Sequence, residues 1–245
     1  MTFRETIVQE SEKIGIELFP KALDVFEVYK NMLQDWDKTR FNLTSITKDN
    51  EIAIRHFIDS LYLAKAIPIK GKENIIDIGT GAGFPGLPIK IAFPSVYLTL
   101  VDSQKKKIFF IGVLLRRLGI YDVALLNTRG EKLGKEEKFR EKFDIVLMRG
   151  VSKMPIISEI AIPLLKIGGR AVFWKGKEEI ENIRESTPLI EKMGGKIESI
   201  KEYKLPNVPH KSYLVVIRKE RETPKKYPRT YSSMLRALKR NAKNK

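Results

Sequence analysis

Apolar positions change period along the chain. Up to residue 70 they recur at helical spacing: Ala22, Phe26, Tyr29, Leu33 and Trp36 form one stripe, and Ile54, Phe57, Leu61 and Ala64 another. The polar connection between them, TRFNLTSITKDN at 39–50, ends in an N-cap region before Glu51. Pro68 and Gly71 mark a boundary, and from Glu73 short apolar runs alternate with amphipathic stretches. Asn74–Ile78, Tyr97–Val101, Val123–Leu126, Phe143–Met148 and Arg170–Trp174 read as strands. Gly86–Phe93, Lys106–Leu118 (closed by Gly119) and Ile156–Leu165 read as helices, the last leading into a Gly168-Gly169 turn. This alternation predicts a parallel, doubly wound α/β sheet. Lys196–Tyr203 and Tyr213–Arg218 are further strands joined by KLPNVPHKS alone, too short for a parallel crossover, so this pair is expected to be antiparallel. The expected organisation is an N-terminal helical extension (1–70), a sheet-based core (71–218) and a basic C-terminal tail (219–245).

Composition changes this picture in two places. An apolar content of 42% with 31% charged residues is that of a globular chain. Apolar runs such as Ile108–Leu115 fall far short of the roughly 18–20 residues of a membrane span. The first residues, MTFRETIVQESEK, carry charges of both signs and no apolar leader core, so a cytoplasmic location and no membrane partner are expected. The absence of cysteine excludes disulfides, zinc ribbons and thiol nucleophiles, and two histidines are too few for a histidine-built metal site. The net charge of +16 is uneven: Arg218–Lys245 holds eleven Lys/Arg against two Asp/Glu. Such a run reads as an electrostatic footprint for nucleic acid or as a solvated tail.

The densest chemistry lies in IIDIGTGAGFPG at 75–86. Gly81, Gly83 and Gly86 fit the dinucleotide fingerprint G-x-G-x-x-G. Gly79, Gly81 and Gly83 fit G-x-G-x-G, the loop that holds the methionine end of S-adenosylmethionine. Either ligand can use a strand–loop–helix turn whose backbone approaches closely, and Asp102, 23 residues after Gly79, can accept the ribose hydroxyls of either. A tight turn with no ligand is the third reading. Three features favour S-adenosylmethionine. Asp77 inside the strand would repel a diphosphate but suits a cationic group. The loop begins earlier than the dehydrogenase pattern requires. About 70 residues precede the motif. Parallel strands closed by an antiparallel hairpin are also the plan of the Rossmann-like S-adenosylmethionine-dependent methyltransferase sheet.

DIGTGAGFPGLPIKI, LVDSQKKKIFF, FDIVLMRGVS and FWKGK, preceded by NLTSIT and RHFIDSL, resemble in order and spacing the RsmG family, also called GidB, from about Phe41 to Lys177. The resemblance implies a bacterial enzyme that methylates N7 of one guanine in small-subunit (16S) ribosomal RNA with S-adenosylmethionine, leaving S-adenosylhomocysteine. It implies cofactor contacts from Gly79 and Phe84; a phenylalanine ring is ordinarily core, but in a glycine loop it can cover the adenosine instead. Asp102, Ser103 and Gln104 would hold the ribose and adenine edge, Gly130 and Glu131 would flank the adenine, and Arg149 would reach the cofactor or an RNA phosphate. Lys175 is the candidate for steering RNA phosphate. Arg55 and Asp59, at i and i+4, are expected to pair along a helix face that, with His56, borders the acceptor pocket. KKYPR at 225–229 resembles the family's C-terminal start, which places Lys225, Lys226 and Arg229 toward RNA. The following TYSSMLRALKRNAKNK departs from Gly/Pro-rich family tails and can form a basic helix touching RNA backbone.

The residues also prune the reaction. Pyrimidine C5 methylation usually needs a cysteine, and exocyclic adenine methylation an Asn/Asp-Pro-Pro-aromatic stretch; the chain has neither, carrying MRGVSK after its fourth strand. Guanine N7 is already a lone-pair acceptor, so no catalytic acid or base is assigned. Alternatives are a methyltransferase acting on another RNA or on protein, a dehydrogenase, and a non-catalytic RNA-binding protein on the same fold. A monomer without metal is expected.

Overall fold

The computed structural model describes residues 1–36, 43–181 and 183–243. Thr39–Asn42 of the polar connection, including Phe41 where the family resemblance begins, lie outside the described residues, as do Asn244 and Lys245 of the tail.

Seven strands form one sheet: β1 (Asn74–Ile78), β2 (Tyr97–Asp102), β3 (Val123–Asn127), β4 (Phe143–Arg149), β5 (Leu165–Gly176), β6 (Gly195–Tyr203) and β7 (Ser212–Lys219), in the order β3-β2-β1-β4-β5-β7-β6. β1 to β5 pair in parallel, and β7 is antiparallel to both β5 and β6. The hairpin is therefore antiparallel as expected. It folds back so that β7 is inserted beside β5, and β6, outermost, runs in the same sense as β1–β5. Neighbours along β1 alternate faces: Ile75 joins one apolar cluster, Ile76 and Ile78 the other.

The helices are α1 (Phe3–Lys13), α2 (Pro20–Trp36), α3 (Asp49–Ile52), a π-helical stretch Ala53–Ile58, α4 (Asp59–Leu61), α5 (Leu63–Ala66), α6 (Gly86–Ala92), α7 (Lys105–Leu118), α8 (Gly130–Leu133), α9 (Met154–Ala161), α10 (Lys177–Glu181), α11 (Thr187–Lys192) and α12 (Tyr231–Lys243). On one face of the sheet the N-terminal helices, α6 and α7 share a core with β1 and β2, in which Phe26, Tyr29, Leu33, Phe57 and Phe110 are fully buried. On the other, α9, α11 and α12 pack with Val146, Phe173 and Val215. Gly119 closes α7 with φ +68, its N–H and that of Ile120 returning to Arg116 and Leu115.

Two expectations change. Gly168-Gly169 does not precede the strand but lies inside β5, which starts at Leu165; residues 166–169 have no register partner, and the chain turns there with Gly168 at φ +84. The register shifts between Phe143 and Ile145, and a Cβ on Gly169 would come within 3.0 Å of the Phe143, Asp144 and Lys166 carbonyl oxygens, so the glycine makes room for a bulge. The helical stripe through Ile54 and Phe57 passes into a π turn, whose i→i+5 bonding moves the following residues to a different face.

Candidate functional site

The glycine loop leaves the C-terminal end of β1, where doubly wound sheets bind ligands. Gly79 and Thr80 N–H groups both donate to Val101 O, at 2.9 and 3.1 Å, tying the loop to β2. Gly79, Gly81 and Gly83 have φ of +74, +61 and +107, a left-handed region open to glycine at no cost. A Cβ on Gly81 would meet nothing within 4 Å, so its backbone faces open space. Gly86 is glycine for another reason: a Cβ there would lie 2.7 Å from Leu100 and 2.9 Å from the Asp77 carboxylate. The match to the dinucleotide fingerprint at Gly86 thus reflects packing at the start of α6.

Two carboxylates shape this loop. Asp77 is fully buried; its Oδ2 accepts from Thr80 Oγ1 at 2.7 Å and from Gly86 N at 2.9 Å. Its Oδ1 is buried without a partner. Burial pushes the Asp77 pKa up to about 6, against the pull of Thr80, Gly86 and Arg149. Asp102, at the end of β2, accepts from Gly81 N (3.0 Å) and Gln104 N (2.8 Å), leaving lone pairs on both oxygens for further donors. Ser103 and Gln104 are exposed beside it. Gly130 starts α8 wedged against Ile78 and Ile160, either of which a Cβ would approach to under 3 Å, and Glu131 is buried next to it. An unpartnered buried carboxylate oxygen, an open glycine backbone and a second acid at the next strand end suit a ligand that combines a cationic group with a ribose.

Phe84 departs from its expected role. Its ring is buried, stacked between Tyr29 (5.0 Å, 10°) and His56 (4.8 Å, 21°) and edge-on to Phe57. The ring fastens the loop to α2 and the π turn, and the Arg149 guanidinium lies 5.5 Å from its centroid. Tyr29 completes the fastening, its hydroxyl donating to Ala82 O at 2.6 Å. His56 is equally withdrawn from an RNA-facing role. Its Nε2 shares a hydrogen bond of 2.7 Å with Thr44 Oγ1, and its Nδ1 is buried without a partner. Burial, with Arg149 and Arg55 nearby, lowers its pKa to about 3, so the ring is neutral at physiological pH.

The expected Arg55–Asp59 pair does not form. The π turn leaves Arg55 exposed and Asp59 buried, and Asp59 Oδ2 instead accepts from Arg149 Nη1 at 2.9 Å. Asp59 also receives the Tyr203 hydroxyl on Oδ1 and the Trp174 indole N–H on its carbonyl oxygen (2.9 Å). The ends of β4, β5 and β6 thus converge on one turn. Tyr203 and Trp174 escaped sequence reasoning because they lie 144 and 115 positions from Asp59; FWKG marked a strand end, but no spacing rule joins it to RHFIDSL.

The remaining expected RNA contacts are reassigned by their surroundings. Lys175 is buried at 6% exposure, its ammonium donating to Ser152 O (2.5 Å) and Glu179 Oε1 (2.6 Å), so it ties β5 to α10. Arg229 clasps the fully buried Glu159 of α9 through Nε and Nη2 at 2.6–3.1 Å. Lys225 and Lys226 are exposed but share a cleft with Arg140, Glu141 and Lys142, just before β4 begins. Arg149 ends the same strand, which puts the two lysines roughly 20 Å from the loop.

Similarity to known proteins agrees with this geometry. The chain is 39% identical over 233 residues to ribosomal RNA small subunit methyltransferase G of Thermoanaerobacter pseudethanolicus, covering 95% of this chain and 97% of that one. It is 40% identical over 215 residues to the protein of that name from Bacillus cytotoxicus, covering 88% and 90%. Among solved structures, a SAM dependent methyltransferase from Aquifex aeolicus superimposes with a TM-score of 0.51 at 18% identity, over 66% of this chain and 89% of that one, a likeness of fold. The family described as GidB, rRNA small subunit methyltransferase G, matches residues 22–210. With that match over most of its length and relatives near 40% identity, the chain belongs to the GidB family.

Proposed function

We propose that the chain transfers the methyl group of S-adenosylmethionine to N7 of a guanine in 16S ribosomal RNA. The observation that carries this reading is Asp77 Oδ1, buried without a partner near the end of β1, with Arg149 at the end of the neighbouring strand β4. A free amino acid end needs such a couple: a carboxylate for its ammonium and a guanidinium for its carboxylate. Gly79 and the Phe84 backbone then line the methionine end, Asp102, Ser103 and Gln104 the ribose and adenine edge, and Gly130 and Glu131 the adenine. When bound, S-adenosylmethionine supplies an electrophilic methyl on a sulfonium.

The chain's own work is alignment. Guanine N7 presents an unshared pair and no proton, so no side chain has to act as a base. Holding donor and acceptor in line can contribute on the order of 7–11 kcal/mol. Gly150, with φ +66 and open space around its Cβ position, lets the chain turn at the end of β4 without filling the acceptor side. Among the described residues no cluster of metal-ligating groups occurs, and no helix is long and apolar enough to cross a membrane. The chain is proposed to act as a cytoplasmic monomer on 16S RNA or the small subunit.

Methyl transfer to naked 16S RNA, to intact small subunits and to protein, with the modified base mapped, tests the reading. A single N7-methylated guanine in 16S RNA is expected. Labelled protein, or thermal stabilisation by NAD and not by S-adenosylhomocysteine, overturns it.

A further inference from the structure

Arg149 needs something to aim it, and the structure supplies an aiming device that spans four elements. Its hydrogen bonds lie along one edge only, with Cζ 5.5 Å from the centroid of the Phe84 ring. Nη1 donates to Asp59 Oδ2 at 2.9 Å and to the Arg55 and His56 carbonyl oxygens at 3.3 and 3.5 Å. Nε and Nη2 have no partner among the described residues, and the side chain keeps 17% of its surface. The two carbonyls belong to the π turn, where i→i+5 bonding displaces carbonyls from the regular ladder. Asp59 is itself immobilised by the Tyr203 hydroxyl and by Trp174, and Tyr203 is stacked on Tyr62 at 4.2 Å.

A buried ion pair is a poor source of stability, because desolvating both partners consumes most of the Coulomb gain. Here desolvation pushes the Asp59 pKa up while Arg149 and Tyr203 pull it back. What such a pair provides is direction. A guanidinium is a planar fork, so fixing one edge fixes the plane in which the other edge donates.

We propose that Asp59 is a positioning residue for cofactor binding: with the π turn it locks the Nη1 edge of Arg149 so that the opposite edge meets the carboxylate of the cofactor's methionine end. This rests on the reading of Arg149 as a cofactor ligand. The ammonium of the same end goes to Asp77, so the zwitterion is read by two groups on neighbouring strand ends, β1 and β4. Asp59 contacts Arg149 and not the zwitterion itself, so it acts through Arg149.

Calorimetric titration with two ligands separates this role from a structural one. S-adenosylhomocysteine carries the amino acid end; 5′-methylthioadenosine has the same nucleoside and sulfur without it. Asp59→Asn is expected to weaken S-adenosylhomocysteine by about 10- to 100-fold, the worth of charge-assisted hydrogen bonds, and to leave methylthioadenosine unchanged. Arg149→Gln is expected to do the same, and Asp59→Asn on top of Arg149→Gln to add nothing. Tyr203→Phe keeps the stack on Tyr62 and removes one donor to Asp59; it carries the test if Asp59→Asn fails to fold, with a smaller loss confined to S-adenosylhomocysteine. Equal loss of both ligands, no loss of either, or additive losses in the double variant overturns the proposal. A wild-type chain that binds methylthioadenosine and S-adenosylhomocysteine equally well refutes the ligand role of Arg149 itself, and the proposal with it.

Discussion

Asp77 holds a charge where burial resists one, and that resistance has a sign that can be measured. Its pKa stands near 6 in the folded chain against 3.8 for the free group, so the native state binds the extra proton between those values. Stability contributed by this group therefore falls as pH rises from about 4 to about 6 and is level above, by about 2–3 kcal/mol at 1.36 kcal/mol per unit. His56 contributes in the opposite sense, because its depressed pKa of about 3 means stability is lost as pH falls through 6.5. The difference curve between wild type and Asp77→Asn isolates the carboxylate. Asn keeps an acceptor for Thr80 and Gly86, so the variant is expected to melt higher than wild type at pH 7.5 and to converge with it near pH 4. It is also expected to bind S-adenosylhomocysteine more weakly above pH 6, with the wild-type advantage fading as pH falls through about 6. Urea melts and calorimetry across pH 4–8 measure both; a variant that melts lower at pH 7.5 contradicts the assignment. The placement of Asp77, Gly79 and Asp102 around one loop was legible because strand ends and glycines betray themselves locally. Phe84, Lys175 and Arg229 were not, since Tyr29, Glu179 and Glu159 decide what each does and only Glu179 is a sequence neighbour.

At the scale of elements, the segment from Thr223 to Thr230 works as a strap across α8 and α9. Arg140 donates to the Gly134, Tyr227 and Thr223 carbonyl oxygens at 2.6–2.8 Å, and the Pro228 ring fills the space a Cβ on Gly134 would need. The backbone N–H of Arg229 and its side chain both reach Glu159, which is fully buried. Arg229→Met leaves that carboxylate buried without its cation and is expected to cost about 3–5 kcal/mol. Arg229→Met with Glu159→Met removes both charges and is expected to recover much of the loss, which chemical melts of the three proteins measure. Strand placement was legible to within a residue except in β5, because the apolar runs end at polar or glycine positions. The π turn was not legible, since its apolar residues fit a regular helix equally well. Nor was the bulge in β5, because a Gly-Gly pair looks like a turn ahead of a strand whenever the partner strand is unknown.

The whole molecule distributes its +16 charge around a sheet whose two faces are both covered, and the C-terminal segment shows how. The sequence left this tail between a solvated run and a basic helix. In the structure α12 docks Met234 at 2% exposure, with Tyr231, Leu235 and Leu238 packed on the second core, a helical i, i+3, i+4, i+7 stripe. Arg236, Lys239 and Arg240 are exposed on the opposite face. Deleting 230–245 would therefore strip apolar cover from α9 as well as charge, and a loss of RNA binding would be ambiguous. Replacing Arg236, Lys239 and Arg240 by Gln removes charge alone. If this face lies on RNA phosphate, the triple variant binds 16S RNA more weakly at low salt, and its log K against log salt line is shallower by about two to three units, the counterions that three cations release. Melting temperature and affinity for S-adenosylhomocysteine are expected to stay at wild-type values, because the apolar stripe and the glycine loop are untouched. Parallel salt lines for wild type and variant would place α12 off the RNA and leave it as cover for the second core.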